Sequence, residues 1–460
     1  MRKTLMSVAA LAVFAGLSHA DDADMQAQID ALNKKVQTLE KQQQRSSKML
    51  SKVNNQSAND NIKFGIDFRN AVDVIEYRDH ENGTYATNPS LFSSRLYLTM
   101  GASPMDGLTF KGNLAVYSTW GSHLYVDDDP LKDWAASSKP ADTVMRIKEA
   151  YFVYTDEIGA QPVSFSIGRR PSTEGFLANY RENDPKPGSP LAHITNMEVN
   201  GIMVMLNWDR FVTGAYTKFV YGRAHQGEME NVYGTNYIPW GPYGLEDTDD
   251  KSVDFIVIPG SAYDDGQYQI MYEWAHMFNT KGQQYNDPTT KKAAAGTADL
   301  YSVGLKVAGI GDGISDFLDD TTVFVSGGFT HYDAKSGYQL LGSSDGGTRD
   351  GSSVWTGIII PDMITDSGRL GFEYNHGSRY WTPMTWAEDT AIGSKVAVRG
   401  DAYEAYWNFN LFGVKYLPSQ VRYTYVQHDY TPNISCAGWV DPQKVDITAT
   451  DLRLFVTYRY

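Results

Sequence analysis

The sequence predicts an all-β fold: an antiparallel transmembrane β-barrel of about 16 strands, preceded by an N-terminal α-helical coiled coil. Three observations support this prediction. The chain begins with a secretory signal, the residues from Ile62 onward alternate between apolar and polar side chains with a period of two, and the last strand ends on the aromatic residue Tyr460. An alternative of about 18 strands stays open, because a barrel whose two ends lie on the same side of the membrane requires only an even number.

Residues 1–20 predict a cleaved export signal. Arg2 and Lys3 precede an apolar stretch from Leu5 to Leu17, and Ser18-His19-Ala20 forms a small-x-small cleavage site. Loss of the two signal cations moves the formal net charge from −15 to about −17. An exported, acidic chain is not expected to bind nucleic acid.

The sequence contains no motif for a bound metal, a cofactor or a catalytic centre. Its single cysteine, Cys436, excludes an internal disulfide framework, a CxxCH haem site and a paired CxxC zinc site. The histidines lack an HExxH arrangement, and neither a GxSxG elbow nor a phosphate-binding loop is present. We therefore expect no cofactor, no metal and no enzymatic activity.

Residues 21–53 predict a coiled coil that would lie in the periplasm. Apolar residues repeat at two heptad positions, interrupted by Gln43 and Ser46. The two positions hold Ile29, Val36 and Leu50, and Met25, Leu32, Leu39 and Val53. Such a helix cannot bury its apolar stripe alone, so a self-associating partner is expected; an amphipathic helix packed on its own domain is the alternative. A polar linker over residues 54–61 then leads to the barrel of residues 62–460.

From Ile62 onward the period of the sequence changes to two. Ile62–Arg69 alternates apolar and polar residues without a break, which is typical of a strand with two different faces. The same alternation recurs in Leu96–Met100, Leu108–Tyr117, Arg146–Tyr154, Val163–Arg170, Gly201–Trp208, Phe211–Tyr221, Ser252–Ile258, Tyr268–Phe278, Leu300–Val307, Thr322–Tyr332, Arg369–Asn375, Arg379–Trp386, Val396–Phe409, Val421–Gln427 and Leu452–Tyr460. No apolar run of about 18 residues follows the signal, so a transmembrane helix is not expected.

The predicted connections alternate between short and long. A tight turn follows Ser103, whereas a long polar segment follows Trp120, and the same contrast separates the connections after Thr155 and Pro171. Barrels of the bacterial outer membrane show this asymmetry, with brief periplasmic turns and long extracellular loops. The terminal strand would pair with the first strand, so that no backbone edge remains in lipid.

The layout of signal, coiled coil, barrel and aromatic terminus resembles that of bacterial general porins. More narrowly, "NDNIKFGIDFRNAVDVIEY" at the first strand, "RIKEAYFVY" at Arg146 and "IGRRPSTEGF" at Ile167 resemble an uncharacterised family of porin-type outer-membrane proteins. The resemblance spans nearly all of the mature chain. It implies a barrel surrounded by outer-membrane lipid and lipopolysaccharide, and it names no solute.

The same resemblance implies partners for the chain. Tyr458 and Tyr460 resemble the carboxy-terminal signal that the outer-membrane assembly machinery recognises, with Tyr in place of the commoner Phe. Porins of this architecture are commonly homotrimers, which would give the coiled coil its partners. The heptads themselves leave dimer and trimer open.

The expected function is a water-filled channel for small hydrophilic solutes. In general porins the third extracellular loop narrows the pore, and the matching segment here, Pro171–Asn196, is strongly charged. Its charged residues are Glu174, Arg181, Glu182, Asp184 and Lys186. Strand parity points Arg69, Arg95, Lys111, Arg146, Lys148, Arg170, Arg369 and Arg422 into the lumen. A mild anion preference follows, although these cations would also face water merely to avoid lipid.

Several features admit a second interpretation. Glu149 falls on the lipid side of its predicted strand, which indicates either a β-bulge or contact with a neighbouring protomer. Asp127–Asp129 and Glu246–Asp250 offer oxygen ligands for Ca²⁺ or Mg²⁺, but they lack a DxDxDG spacing, so we interpret them as solvated loop acids.

A structural tether or electron-conduit sheath is the alternative function. A hydrolase built on Ser343, Ser344 and His331 is a further one, although these residues form no recognised motif.

Overall fold

The computed structural model describes residues 62–121, 144–184, 188–225, 251–287, 293–311, 313–365, 367–385, 388, 390–432 and 440–460. The predicted signal peptide, coiled coil and linker lie outside the described residues, as do Asp127–Asp129, Glu246–Asp250 and Lys186. The barrel unit comprises Ile62–Ala102 and Gly107–Tyr460.

A closed antiparallel barrel of 16 strands forms this unit. In chain order the strands are β1 (Lys63–Asp79), β2 (Thr84–Met105), β3 (Leu108–Thr119), β4 (Val144–Ile158), β5 (Gln161–Ser172), β6 (Thr195–Asn207), β7 (Tyr216–His225), β8 (Val253–Asp264), β9 (Tyr268–Gln284), β10 (Ala293–Ala308), β11 (Thr322–Ala334), β12 (Thr348–Pro361), β13 (Arg369–Gly377), β14 (Gly400–Asn410), β15 (Pro418–Tyr430) and β16 (Lys444–Arg459). Each strand pairs with the next, and β16 pairs with β1. The remaining elements are short: the helices Ala178–Arg181 and Asp316–Asp319, the 3₁₀ turns Lys395–Ala397 and Leu411–Gly413, and the strands Gly175–Phe176, Gly188–Leu191, Tyr338–Gln339 and Met384–Thr385.

The end of the chain closes the barrel, as the sequence predicts. Asp67 of β1 lies opposite Arg459 of β16. One residue further on, the backbone N–H of Tyr460 donates to the Ile66 carbonyl at 2.8 Å, and the Tyr460 carbonyl accepts from the Ile66 N–H at 2.9 Å. These bonds leave no unpaired edge between the last and first strands, which a sheet immersed in lipid requires.

Side chains alternate between two environments along the strands. On β1, Arg69, Ala71 and Asp73 are buried in the interior, whereas Phe68 and Val74 are 39% and 42% exposed on the outer face. An apolar outer face around a polar interior is the arrangement of a transmembrane barrel, which places the chain in the outer membrane. Among the described residues, no helix is both long and apolar enough to span a bilayer.

The predicted strand count is confirmed, but two of its assignments are wrong. The segment Arg379–Trp386 is not a barrel strand: its described residues run inside the barrel, where Met384–Thr385 pairs in parallel with Thr195–Asn196. The strand Thr348–Pro361 takes its place in the count and escapes the sequence pattern. Two further predicted strands begin later than expected. Phe211–Tyr221 begins only at Tyr216, because residues 211–215 form a turn, and Val396–Phe409 begins only at Gly400, because Lys395–Ala397 forms a 3₁₀ turn.

A β-bulge explains the position of Glu149. The register between β3 and β4 shifts between Asn113 and Leu114, so Glu149 lies opposite Asn113 and Arg146 lies opposite Ala115. Asn113 and Ala115 are both buried in the interior. Lys148 is the extra residue, and it lets Arg146 and Glu149 point into the lumen together, which strict alternation would forbid.

Candidate constriction site

The segment between β5 and β6 folds into the barrel. We call its described residues, 173–184 and 188–194, the first inward loop. Phe176, Leu177 and Leu191 are each 1% exposed, and they pack against a wall that includes Phe324 and Trp355. Positive φ angles at Glu174 (54°) and Leu177 (82°) turn the chain sharply at the start of the loop. Burial of its apolar side chains holds this loop against one side of the lumen.

A second inward loop lies between β13 and β14, and its described residues are 378–385, 388 and 390–399. Trp381 and Val396 are fully buried, and the Trp381 indole donates to the Val396 carbonyl at 2.8 Å. The two inward loops are joined directly. The Arg181 guanidinium lies 3.4 Å from a carboxylate oxygen of Glu388 and also donates to the Glu388 carbonyl. This loop was not predicted, because its aromatic residues were interpreted as part of the strand Arg379–Trp386.

Four arginines line the opposite side of the lumen on four neighbouring strands. Arg422 of β15 lies directly opposite Arg453 of β16, and Arg69 of β1 lies directly opposite Arg95 of β2. We call this group, Arg422, Arg453, Arg69 and Arg95, the arginine wall. All four side chains are buried within the barrel. Strand parity predicts the inward direction of Arg69, Arg95 and Arg422. Arg453 has the same parity but was not among the predicted lumen residues.

The first inward loop brings carboxylates to the arginine wall. A Glu182 oxygen accepts from Arg69 at 3.1 Å and lies 4.0 Å from Arg422. Burial alone would raise the pKa of Glu182, but the guanidinium groups of Arg69, Arg181 and Arg422 hold that pKa well below its usual range. Burial, and then the neighbouring Glu182 carboxylate, raise the pKa of Glu174. The surroundings therefore favour the charged form of Glu182 and disfavour the charged form of Glu174.

A buried charge network anchors the loops to the wall strands. Lys395 of the second loop donates to Glu373 of β13 at 2.8 Å and also contacts Glu404 of β14. The Trp355 indole donates to the same Glu373 at 2.8 Å. Lys395, Glu373 and Glu404 are at most 5% exposed as side chains, so these charges require buried partners. Lys395 is the cation that pairs with Glu373, whereas Glu404 also lies 3.8 Å from Arg422 and 3.9 Å from Arg181.

A polar cavity remains between the arginine wall and the second inward loop. Its volume is about 350 Å³, and Arg69, Arg95 and Arg453 face Thr390 and Ala391 across it. The other lining residues are Ala71, Asp73, Leu91, Ser93, Ser94, Tyr117, Ser118 and Thr119. Arg453 lies 3.4 Å from Asp73, and Arg95 lies 2.9 Å from Asp67. In this cavity, charged and hydroxyl groups meet open space.

The remaining predicted lumen residues lie apart from the arginine wall. Lys148 pairs with Glu198, and Arg170 lies over the Tyr151 ring with 5.1 Å to its centroid. Lys111 and Arg146 point inward but are exposed. Arg369 donates to the Asp320 carbonyl at 2.9 Å, at the short-turn end. Asp184 bonds back to its own loop through its backbone, which donates to the Asn179 carbonyl at 2.9 Å.

The described histidines and serines do not form a reachable catalytic group. His193 of the first inward loop lies 2.9 Å from the hydroxyl oxygens of Ser326 and Ser353, but it is fully buried. Burial lowers the pKa of His193 to about 3, which keeps the imidazole neutral. Ser343 bonds within its own loop to the Ser344 carbonyl, whereas His331 pairs with Asp350 on the outer face. Ser343, Ser344 and His331 are therefore not brought together.

Several solved structures are similar to the chain at low identity. OprB of Pseudomonas putida is 13% identical, with a TM-score of 0.47 over 87% of this chain and 94% of that chain. The anion-selective porin of Comamonas acidovorans is 12% identical, with a TM-score of 0.48 over 87% of this chain and 100% of that chain. OmpT of Vibrio cholerae, in its trimer form, is 12% identical, with a TM-score of 0.45 over 87% and 99%.

The sequence itself places the chain in a family. No curated protein matches it. The model of the family described as "Protein of unknown function (DUF3373)" matches residues 85–457, which span β2 to β16 and include both inward loops. The chain therefore belongs to this family.

Proposed function

We propose that the chain forms a water-filled channel in the outer membrane, through which small hydrophilic solutes diffuse passively. The arginine wall carries this proposal. Four guanidinium groups are held side by side on adjacent strands. Arg69 and Arg422 face the loop carboxylate of Glu182, and Arg69, Arg95 and Arg453 border a polar cavity. Opposed charges across a narrow aqueous passage create a transverse field that orients and selects solutes.

The cavity lining favours a mild anion preference. Each wall arginine has a carboxylate within about 4 Å, so the whole cluster is close to neutral. The cavity itself, however, is lined by Arg69, Arg95 and Arg453 against the single acid Asp73. Arg422, only 1% exposed, has no hydrogen-bond partner for any of its three guanidinium nitrogens among the described residues. A passing anion or water would find donors there.

Planar-bilayer recording of the purified protein with unequal KCl concentrations tests this proposal. We expect discrete conductance steps and a reversal potential that favours chloride. Arg453→Gln should move the reversal potential toward cations, because it removes a cavity cation and leaves Asp73. Arg78→Gln, which alters an exposed arginine beside Glu76, is the matched control and should leave the potential unchanged. Absence of conductance from folded barrels would overturn the channel, and a cation-favouring potential would overturn the preference.

We also propose a homotrimer with the coiled coil of residues 21–53 in the periplasm and with Tyr458 and Tyr460 read by the assembly machinery. The need of a heptad stripe for partners supports the trimer. Leu32→Asp should place a charge in that stripe and shift the mass of the detergent-solubilised particle from three chains to one, whereas Gln37→Asp, outside the two apolar heptad positions, should not. An unchanged mass for both variants would contradict this arrangement.

A further inference from the structure

The outer face of the barrel carries a row of histidine–aspartate pairs between neighbouring strands. The imidazole Nδ1 and carboxylate oxygen are 2.9 Å apart in one pair, 2.6 Å in the second and 3.0 Å in the third. In that order the pairs are His276–Asp299, His331–Asp350 and His376–Asp401. They join β9 to β10, β11 to β12 and β13 to β14, so they follow one continuous arc of the wall.

The pairs stand at the edge of the apolar outer band. His376 lies between the buried residues Asn375 and Gly377, so its side chain points away from the lumen. On five of these six strands, an aromatic residue lies two positions from the histidine or aspartate of the pair, on the side of the short turns. Apolar residues follow it in the same direction. These aromatic residues are Trp274, Tyr301, Phe329, Tyr374 and Tyr403. An aromatic girdle marks the boundary between hydrocarbon and headgroups in outer-membrane barrels, so the pairs lie at headgroup level.

A groove lies in the apolar band directly below the third pair. Its volume is about 590 Å³, and its polar lining residues are Thr356 on β12, Glu373, whose side chain is buried, and Tyr374 and Tyr403 at the upper end. The other lining residues are Leu305, Val307, Val323, Phe324, Val325, Gly357, Ile358 and Phe372. Thr356 is the small residue between Val325 and Tyr374, which lie directly opposite it on the two flanking strands. In a membrane, such a groove is filled by hydrocarbon.

Tyr374 connects the groove to the pair above it. Its ring lines the groove and stacks obliquely on Tyr403 at 5.1 Å between centroids, while its hydroxyl donates to Asp401 at 2.7 Å. The same Asp401 oxygen faces Nδ1 of His376 at 3.0 Å. Asp401 thus orients the imidazole so that its other nitrogen, Nε2, points away from the carboxylate.

We propose that this site binds a phosphorylated lipid of the outer leaflet, with one acyl chain in the groove and a lipid phosphate at Nε2 of His376. The two halves of the site match the two halves of such a lipid: an apolar channel at hydrocarbon depth and an oriented hydrogen-bond donor at headgroup depth. This inference rests on the fold and on the membrane location. It does not depend on whether the barrel conducts.

The donor at Nε2 makes the binding depend on pH. Across the two ladders His376 is faced by Val354 on β12 and by Asp401 on β14, and Tyr374 on its own strand donates to Asp401. With Nδ1 bonded to the carboxylate, Nε2 donates to a phosphate when the imidazole is protonated. A neutral imidazole whose Nδ1–H is bonded to Asp401 leaves Nε2 as an acceptor, so phosphate recognition should strengthen as the pH is lowered.

Lipid titration of the full-length protein in detergent tests the proposal, with native mass spectrometry as the readout. The probes are lipid A, its enzymatically dephosphorylated form and phosphatidylcholine. Wild type should bind lipid A about fivefold to tenfold more tightly than the dephosphorylated form near pH 5.5, and His376→Gln should abolish that difference. His80→Gln alters a histidine whose hydrogen-bond partner is Thr448, outside the arc, and should behave as wild type.

A bulky side chain in the groove separates binding of the acyl chain from binding of the headgroup. Thr356→Phe should weaken both forms of lipid A by a similar factor, about tenfold, because it occupies the acyl position. Thr450→Phe, on the outer face of β16, is the size-matched control and should change neither affinity. Equal affinity of wild type for the phosphorylated and dephosphorylated lipids, or unchanged binding in both His376→Gln and Thr356→Phe, would overturn the site. Detergent-folded barrels of each variant are verified first by heat-dependent gel mobility.

Discussion

The two sides of the lumen are built on opposite principles. Beneath β9 to β13 the two inward loops form a protein core, in which Trp355, Trp381 and Leu191 are at most 1% exposed. Along β15, β16, β1 and β2 the wall carries arginines and borders a polar cavity. The barrel therefore uses one part of its interior as a packed core, whereas the other part contains a polar cavity.

This comparison predicts that substitutions in the packed side change stability, whereas substitutions in the arginine wall change selectivity. The largest effect is expected for Lys395→Met. It removes the cation between Glu373 and Glu404 and leaves the buried Glu373 carboxylate without its cation, whereas Glu404 keeps Arg422 at 3.8 Å and Arg181 at 3.9 Å. The free energy of unfolding in urea and detergent should fall by about 3–5 kcal/mol. Lys415→Met, at an exposed turn, should leave it unchanged.

A cavity in the packed side is expected to have the next largest effect. Leu191→Ala removes a 1% exposed side chain from the cluster that includes Phe176 and Trp355. The loss should be about 2–5 kcal/mol by the same unfolding measurement, depending on how far the loop relaxes. The reversal potential of the channel should stay at the wild-type value. A change in selectivity without a change in stability would contradict the division of the lumen.

The contact between the two sides should depend on pH. Because the folded pKa of Glu182 is depressed, its ionised form stabilises the fold above the ordinary carboxyl pKa of about 4.3, and this stabilisation is lost as the pH falls through the folded pKa. Glu182→Gln should lower the free energy of unfolding at neutral pH by about 1.5–3 kcal/mol and flatten its dependence on acid.

Glu174 provides a control for which the expected pH dependence of stability has the opposite sign. Its folded pKa is raised, so its contribution is present at low pH and is lost as the pH rises through that value. Glu174→Gln should therefore be as stable as wild type at neutral pH, or more stable. Equal acid sensitivity of wild type and Glu182→Gln would argue against the assigned charge contact.

The smallest effect on stability is expected in the arginine wall. Arg95→Gln leaves Asp67 paired with Arg459 at 2.9 Å, so the free energy of unfolding should fall by no more than about 1 kcal/mol. The reversal potential should nevertheless move toward cations, since Arg95 lines the cavity. A large loss of stability with an unchanged potential would reverse the roles assigned to the two sides.

The sequence predicted the fold better than it predicted the interior. Alternation, parity and the aromatic terminus suffice for the strand count and for the inward direction of Arg69, Arg95 and Arg422, because these follow from the two-residue period of a strand. The strand Thr348–Pro361 was missed because "DGSSVWTGIII" does not alternate regularly between apolar and polar residues. Its inner face is instead made of Ser353, Trp355 and Ile359, residues suited to packing against a loop.

The second inward loop escaped prediction for a related reason. Its aromatic residues Tyr380 and Trp381 mimic an outward-facing strand, yet Trp381 fills a core that forms only when the two loops meet. Likewise, the bulge at Lys148 depends on pairing with β3, and the contact of Glu182 with Arg69 joins residues distant in the chain. Such partners are decided by tertiary packing, which local periodicity does not encode.

Cysteine accessibility during conduction tests the central claim most directly. In a Cys436→Ser background, Ser93→Cys places a thiol in the polar cavity, and Ser302→Cys places one in the packed side, where the native residue is 3% exposed. A charged, water-soluble thiol reagent added to open channels should reduce the current through Ser93→Cys and leave Ser302→Cys unchanged. Block of Ser302→Cys with no effect on Ser93→Cys would show that solutes pass elsewhere and would contradict the account.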